Sequence, residues 1–336
     1  MADHQGWREA PNAEPANPGR AGDHRVGDQG DGDPRARPGD GLIAPPASST
    51  PPAASAPPAA SAPLAGPRPP NPHLRWIPPT RLGGRWQMAI DTWLLDQTGP
   101  GAPGVGGRNP VLRVYRWSRP TLSLGRHQRL LEPQWWRLAA AGRLDLVRRP
   151  SGGRAVLHGF DLTYALIWPN PPRRRRMAYA QTCGWLQACF AKIGCPIHPG
   201  SDSLHTQPAS CFRSATAADL IHADGGKRIG SAQFWRHGAL LQHGSIQLHP
   251  PADLWREVFE EDPPALEPLP LALEELIDLL RREALNSLPM AAGLELQQRD
   301  LSSVELAEIA GQLPTYDLFG RDGDATSPVF TMERAI

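Results

Sequence analysis

The chain has 336 residues, a formal net charge of +1 and 40% hydrophobic residues. A charge this close to zero gives no overall field of the kind that marks nucleic-acid-binding proteins, and we expect no nucleic-acid partner. No apolar run reaches the roughly 18 residues that a membrane span needs. The 4 cysteines form no C-x-x-C pair and no zinc-finger spacing, which argues against a disulfide framework and against a structural metal site.

The first part of the chain differs in composition from the rest. Nearly half of the 39 prolines fall in the first 80 residues, which contain a Pro-Pro-Ala-Ala-Ser-Ala repeat. Such a segment buries too little apolar surface to offset the entropy of ordering, so we predict that residues 1–73 are a disordered tail. The tail has no apolar h-region, and its acidic residues argue against a transit peptide, so we expect a cytoplasmic protein.

The folded part is expected to start near Trp76. Apolar periodicity predicts mixed helices and strands with hairpin-length connections, and therefore an α+β fold with a mainly antiparallel sheet. In chain order, the pattern predicts a helix within 86–95; strands at 111–117 and 121–125; a helix at 132–141; strands at 144–147 and 162–168; a helix at 178–193; short strands at 210–212, 219–221 and 227–232; a strand at 240–248; and helices near 251–259, 271–284 and 302–313.

A basic, glycine-bearing loop at 148–158 lies between two of these strands. Glycine lacks a Cβ, so backbone N–H groups can approach a ligand closely, and arginine adds donors suited to carboxylate or phosphate oxygens. A basic surface hairpin would have the same composition. The candidate binding residues in this loop are Arg149, Ser151, Gly152, Gly153, Arg154 and His158.

A second stretch of sequence, taken together with this loop, resembles the motifs of a known protein family. Residues 226–233 have the sequence G-K-R-I-G-S-A-Q, and His243-Gly244-Ser245 follows. The two stretches resemble the motifs R-R-x-[ST]-G-G-[GR]-A-V-x-H and G-[RK]-K-[IV]-x-G-S-A-Q…H-G-[ST] of the lipoate–protein ligase A superfamily, which includes biotin ligases and octanoyltransferases. Segments similar to the family's N-M-A-x-D-x-x-L helix and P-T-L-S-L-G-x-x-Q strand precede them. The chain departs from the family at Gly159, where many members carry Asp.

The resemblance covers about 84–313 and implies a biotin/lipoyl-ligase core, similar to class II synthetases, in which helices flank a mainly antiparallel sheet. We therefore expect a catalytic domain at 74–260, with a C-terminal helical extension at 261–336 packed on it. The resemblance also implies that Gly230, Ser231, His243 and Gly244 contact the substrate. A structural histidine at 243 is an equally open interpretation.

The loop around Cys211 is similar to that of the cysteine-type octanoyltransferases, in which this cysteine accepts the acyl group. A thiol needs a nearby cation to ionise at neutral pH, and Lys227 follows after a hairpin-sized excursion. The resemblance therefore implies Cys211 and Lys227 as the catalytic pair. The alternative is a buried cysteine beside a solvated lysine, and burial is what we expect for Cys183, Cys189 and Cys195.

The implied activity is transfer of octanoyl from octanoyl-acyl carrier protein, through a Cys211 thioester, to a lysine of a lipoyl domain. The acceptors implied are the glycine cleavage H protein and the E2 subunits of 2-oxoacid dehydrogenases. No cofactor is expected, the chain is expected to be a monomer, and no membrane partner is expected. The basic run at 173–176 is a solvated face or a docking surface for an acidic carrier.

Three alternatives remain open. An ATP-dependent lipoate–protein ligase would use the same fold with ATP and Mg, and an amidotransferase would move octanoyl between lipoyl domains. Gly159 and the long tail also keep open a non-catalytic carrier-binding protein of this fold.

Overall fold

The computed structural model describes residues 71–99, 109–200 and 219–318. The predicted tail, apart from its last residues, lies outside these ranges, as do the expected strand at 210–212 and Cys211. The strands are β1 His73–Leu82, β2 Val111–Trp117, β3 Thr121–Leu124, β4 Asp145–Arg148, β5 Val156–His158, β6 Asp161–Pro169, β7 His198–Pro199, β8 Leu220–Ile221, β9 Lys227–Arg236, β10 Ala239–Gln247 and β11 Glu295–Gln298. The helices are α1 Gly84–Asp96, α2 Pro133–Ala140, α3 Arg175–Lys192, α4 Ala252–Phe259, α5 Leu273–Ser287 and α6 Ser303–Ala310, with short 3-10 turns at Pro289–Ala291 and Leu313–Tyr316.

A large eight-stranded sheet has the order β11-β1-β2-β6-β10-β9-β8-β7. All neighbours from β2 to β7 are antiparallel, whereas β1 runs parallel to both β2 and β11. The central strands β6 and β10 are buried along nearly their whole length, because helices cover both faces of the sheet. The mainly antiparallel α+β fold expected from the sequence is confirmed.

Each face of the large sheet has its own hydrophobic core. Helices α1 and α6 pack with Tyr115, Ile167 and Leu241 on one face. Helices α3 and α5 pack with the residues that point the other way. The indole of Trp185 on α3 also donates to the backbone of Leu280 on α5 over 3.0 Å. This alternation matches the period of two along a strand.

A small sheet of order β4-β3-β5 lies beside the large one. It packs with α2 and α4 around a third core that contains Trp135 and Trp255. The indole of Trp135 donates to the backbone oxygen of Val258 over 2.8 Å, which ties α2 to α4. The glycine-bearing loop connects β4 to β5 and therefore belongs to this small sheet.

The sequence analysis missed four strands, the short β5 and β7 and the edge strands β1 and β11. β1 contains Pro78-Pro79, and its register with β2 shifts between Ile77 and Thr80. Proline removes ladder donors and normally argues against a strand. β11 is largely exposed and has no apolar alternation. As a result, the prediction placed only helices after residue 250, whereas β11 joins the edge of the large sheet. No helix among the described residues is both long enough and apolar enough to cross a bilayer.

Candidate active site

A cavity lies between the large and the small sheet, enclosing about 460 Å³ of empty space that is continuous with solvent. Aliphatic and aromatic side chains form much of its wall, including Met88, Trp117 and Val156. The cavity brings together eight of the predicted binding residues: Arg149, Gly152, Gly153, His158, Gly230, Ser231, His243 and Gly244.

The side chain of Arg149 stabilises the conformation of the glycine-bearing loop. Its side chain is almost fully buried. Its guanidinium donates to the backbone oxygens of Ser123 at 2.8 Å, Gly152 at 2.8 Å and Arg154 at 2.7 Å. These bonds close the loop around the guanidinium, so Arg149 forms part of the cavity wall while it stabilises the loop. Arg154 itself does not line the cavity.

Two glycines make this loop geometry possible. Gly153 has φ +97°, which L side chains rarely adopt. A Cβ at Gly125, in the turn after β3, would lie 1.8 Å from the carbonyl oxygen of Gly153. The backbones of the turn and of the loop are therefore in direct contact, with no room for a side chain at Gly125. At Gly152, by contrast, a Cβ would meet nothing within 4 Å.

A buried chain of hydrogen bonds joins the loop to the large sheet. Ser151 Oγ lies 2.6 Å from His243 Nε2, and His243 Nδ1 lies 3.0 Å from Asp91 Oδ2. The same carboxylate accepts from Arg113 over 3.0 Å and from the Tyr115 hydroxyl over 3.0 Å. Burial, followed by the charge of Asp91, raises the pKa of Tyr115 well above its ordinary value, so this hydroxyl stays a donor.

A second chain of the same type lies on the small-sheet side. Ser123 Oγ lies 2.9 Å from His158 Nε2, and His158 Nδ1 lies 2.8 Å from Asp161 Oδ2. The imidazole stacks on the indole of Trp117, with ring centroids 4.0 Å apart. Ser123, His158 and Trp117 all line the cavity.

Asp161, two residues after Gly159, places a buried carboxylate beside His158. Its carboxylate accepts from the backbone N–H of Gly159 at 3.0 Å and from the hydroxyls of Thr163 at 2.9 Å and Ser245 at 2.6 Å. Burial opposes its ionisation, but the charge of His158 and these hydrogen bonds outweigh burial, and the pKa of Asp161 lies below its ordinary value.

The sequence analysis did not single out Asp91, Ser123 or Asp161. A signal for the first two was present, since Asp91 falls in the helix segment similar to N-M-A-x-D and Ser123 in the segment similar to P-T-L-S-L-G. Asp161 lies two residues after the position where an acid was expected.

Lys227, at the start of β9, is 3% exposed and forms an ion pair of 3.0 Å with Asp219 Oδ2. It does not line the cavity, although Gly230 and Ser231 of the same strand do. Cys211 lies outside the described residues. Gly200 and Asp219, the described residues on either side of 201–218, are joined by a backbone hydrogen bond of 2.9 Å from the Gly200 N–H to the Asp219 carbonyl oxygen.

The other cysteines are inside or near the core, as expected. Cys183 and Cys189 are buried on α3, and Cys195 is half-buried. Burial raises the pKa of both helix thiols to about 12. Neither is therefore a nucleophile at neutral pH.

Comparison with known proteins identifies the family. A model of the lipoyl protein ligase A/B catalytic domain matches residues 84–266. An octanoyltransferase LipM from Kyrpidia tusciae is 33% identical over an alignment 184 residues long, and the match covers 47% of this chain and 67% of that relative. The range matched by the family model includes every strand that borders the cavity.

Solved structures agree at the level of the fold. A lipoate-protein ligase A bound with ATP superposes with a TM-score of 0.59 at 18% identity, covering 72% of this chain and 94% of the other. A bi-partite lipoate protein ligase from Thermoplasma acidophilum, studied with its E2 lipoyl domain, gives a TM-score of 0.56 at 17% identity over 72% of this chain and 92% of the other. With its motifs gathered around one cavity in this fold, the chain belongs to the lipoyl protein ligase A/B catalytic-domain family.

Proposed function

We propose that this protein is an octanoyltransferase that moves an octanoyl group from an acyl-carrier thioester to a lysine of a lipoyl domain. The observation that carries the proposal is the similarity to octanoyltransferase LipM from Kyrpidia tusciae, at 33% identity over two thirds of that relative. The donor is octanoyl-acyl carrier protein, and the acceptors are the glycine cleavage H protein and the E2 subunits of 2-oxoacid dehydrogenases. The transfer needs neither ATP nor Mg.

In this proposal Cys211 carries the acyl group between the two carriers. Its thiolate attacks the donor thioester, and a C–S bond forms to Cys211 as the C–S bond to the carrier breaks. The carrier leaves as a thiol, taking up the proton that Cys211 gave up when it ionised. Two bulky carriers can then use one site in turn, which is the advantage of a covalent intermediate. The relevant sequence feature is that Cys211 lies in the segment that returns to Asp219, the ion-pair partner of Lys227.

Lys227 supplies a positive charge that is buried in the protein interior. A buried ammonium is costly unless it is paired, and Asp219 provides that partner at 3.0 Å. In the proposed reaction this charge favours the thiolate and then the oxyanion of each tetrahedral intermediate. In this proposal backbone N–H groups of Gly152 and Gly153, two residues that line the cavity, assist Lys227.

Docking of the acidic carriers is assigned to the run Arg173–Arg176 at the start of α3. All four side chains are exposed, and among the described residues none forms an ion pair with a carboxylate. Charge complementarity of this kind speeds the encounter of protein partners and weakens with salt.

The test is a reconstituted transfer without ATP. Octanoyl-acyl carrier protein and an apo lipoyl domain are incubated with the protein, and amide formation on the acceptor is followed by mass spectrometry. Without acceptor, one octanoyl group labile to hydroxylamine is expected on Cys211. Cys211→Ala should lose both adduct and turnover, whereas Cys195→Ala, the matched change at a half-buried thiol, should keep both.

The alternatives give different results in the same assay. Modification only with free octanoate or lipoate and ATP would identify a ligase instead. Transfer only from an octanoylated H protein would identify an amidotransferase. A protein that binds carriers but modifies none under any of these conditions would be a non-catalytic member of the family.

A further inference from the structure

A second cavity lies on the face of the large sheet that α5 covers, with about 760 Å³ of empty space continuous with solvent. It is bordered by the end of β2, the start of β6 and the segment that leads into α5. Its leucines pack against the core of that face. The candidate active-site cavity, by contrast, is lined by Met88, Tyr115 and Trp117 of the core on the opposite face. The two cavities are therefore separate, and the chemistry proposed above makes no use of the second.

Hydrocarbon side chains form much of the wall of the second cavity. Phe160, one of these, is 36% exposed. Four of its five leucines are half-buried and the last is buried: Leu248, Leu269, Leu271, Leu273 and Leu276. Much of this apolar surface therefore remains in contact with water. An apolar ligand group that replaced this water would gain free energy in proportion to the area that it covers.

Arg116 adds a positive charge to this apolar wall. The side chain is half-buried, and among the described residues its guanidinium has neither a hydrogen-bond partner nor a carboxylate partner. Arg81 is its partner in the register of β1 with β2. Two like charges opposite each other on neighbouring strands repel, and a bound anion would offset that repulsion. A guanidinium holds a carboxylate through two parallel N–H···O bonds.

The other charges at the second cavity exclude further classes of ligand. Asp161 is the one carboxylate among the described residues that line it. Asp161 is only 2% exposed, and its oxygens already accept from the Gly159 N–H, from His158 and from the hydroxyls of Thr163 and Ser245. The ammonium group of an amine or an amino acid would therefore find no free carboxylate. A phosphate monoester carries about −1.5 to −2 charges at neutral pH, which is more than a single guanidinium compensates.

We infer that the second cavity binds a free fatty acid, with its carboxylate on Arg116 and its hydrocarbon chain against the leucines. One negative charge on an otherwise apolar molecule matches the guanidinium and the wall around it. An acyl group held as a thioester has no carboxylate, so the site selects the free acid over an acyl carrier. This inference is independent of the octanoyltransferase activity, because it uses none of the residues assigned to that reaction.

The experiment has to locate the ligand, because octanoate also resembles the acyl group proposed for the active-site cavity. The full chain is irradiated with an octanoic acid that carries a diazirine near the end of its hydrocarbon chain, and the labelled residues are mapped by mass spectrometry. Labels that free octanoate displaces are expected at Leu248 or within residues 269–276. Labels confined to the active-site cavity, or none that octanoate displaces, would overturn the inference.

The charge of the ligand is tested on the same labels. Octanamide keeps the hydrocarbon chain but lacks the negative charge. It should displace the label only at a concentration about ten to a hundred times higher than octanoate, the usual effect of losing a hydrogen bond between charged groups. Octylamine, a cation, should not displace it. Equal displacement by octanoate and octanamide would show that the cavity does not recognise a carboxylate, and the inference would be wrong.

Two variants test the role of Arg116. Arg116→Gln should raise the probe concentration for half-maximal labelling of these residues by about ten- to a hundredfold. Arg281→Gln is the matched control and should label like wild type, since Arg281 pairs with Asp278 at 3.2 Å and does not line the cavity. Unchanged labelling of Arg116→Gln would contradict the assignment of the carboxylate.

Two features keep this test decisive. If Arg116→Gln does not fold, the comparison of octanoate with octanamide on the wild-type protein gives the answer. A protein that transfers no octanoyl group should still be labelled at the second cavity, and a working transferase without these labels would lack only the second site. The failure of one proposal is therefore distinguishable from the failure of the other.

Discussion

The buried ion pair between Asp91 and Arg113 allows a quantitative prediction for Asp91→Asn. The carboxylate is fully buried and the guanidinium is 1% exposed, with 3.0 Å between Arg113 Nη1 and Asp91 Oδ1. Asparagine keeps an oxygen for Arg113 but removes the compensating charge. Leaving one partner of a buried pair without its counter-charge typically costs about 3–5 kcal/mol.

The expected loss is measurable in two ways. Denaturant unfolding should show a free energy of unfolding lower by about 3–5 kcal/mol. At about 2–4 °C per kcal/mol for a domain of this size, the melting temperature should fall by about 6–20 °C. Asp253→Asn is the matched control, since Asp253 pairs with Arg256 at 3.4 Å but is 96% exposed. That change should cost less than about 1 kcal/mol.

A double variant isolates the reason for the loss. When Arg113→Met is added to Asp91→Asn, no uncompensated charge remains. The double variant should therefore lose clearly less free energy of unfolding than the sum of the losses of the two single variants. Strict additivity, or a loss for Asp91→Asn no larger than for Asp253→Asn, would contradict the idea that charge compensation dominates at this site.

Three further outcomes are expected. Gly125→Ala should destabilise the fold by about 1–3 kcal/mol, because the new Cβ would meet the carbonyl of Gly153; Gly152→Ala, with open space, should cost much less in the same urea titration. The thiol of Cys183, with its pKa raised to about 12 by burial, should resist iodoacetamide at pH 8 in the native protein and react after denaturation, and native-state modification detected by mass spectrometry would contradict its burial. The pKa of Asp161 lies below its ordinary value, so its contribution to stability is complete above about pH 4 and is lost as the pH falls through the folded-state pKa. The difference in free energy of unfolding between wild type and Asp161→Asn should therefore become smaller in acid and not in base.

Local patterns in the sequence were sufficient to predict most helices and strands and the residues that form one wall of the cavity. The apolar runs of β6 and β10 and the periodicity of the three C-terminal helices predicted those elements close to where they lie, because each pattern repeats with the period of its own secondary structure. The glycine-bearing loop was predicted as a binding element because glycine lets the backbone approach a ligand closely, and the structure shows that Arg149, Gly152 and Gly153 of this loop line the cavity.

The partners of the site residues were decided only by the tertiary structure. Asp91 and His243 are 152 positions apart, and Ser123 and His158 are 35 apart; neither spacing follows from a local period. β1 and β11 lacked strand-like patterns and form strands because the edge of the large sheet supplies their hydrogen-bond partners. Local sequence determines which backbone conformations are low in energy, whereas the packing of elements distant in sequence determines which histidine meets which carboxylate.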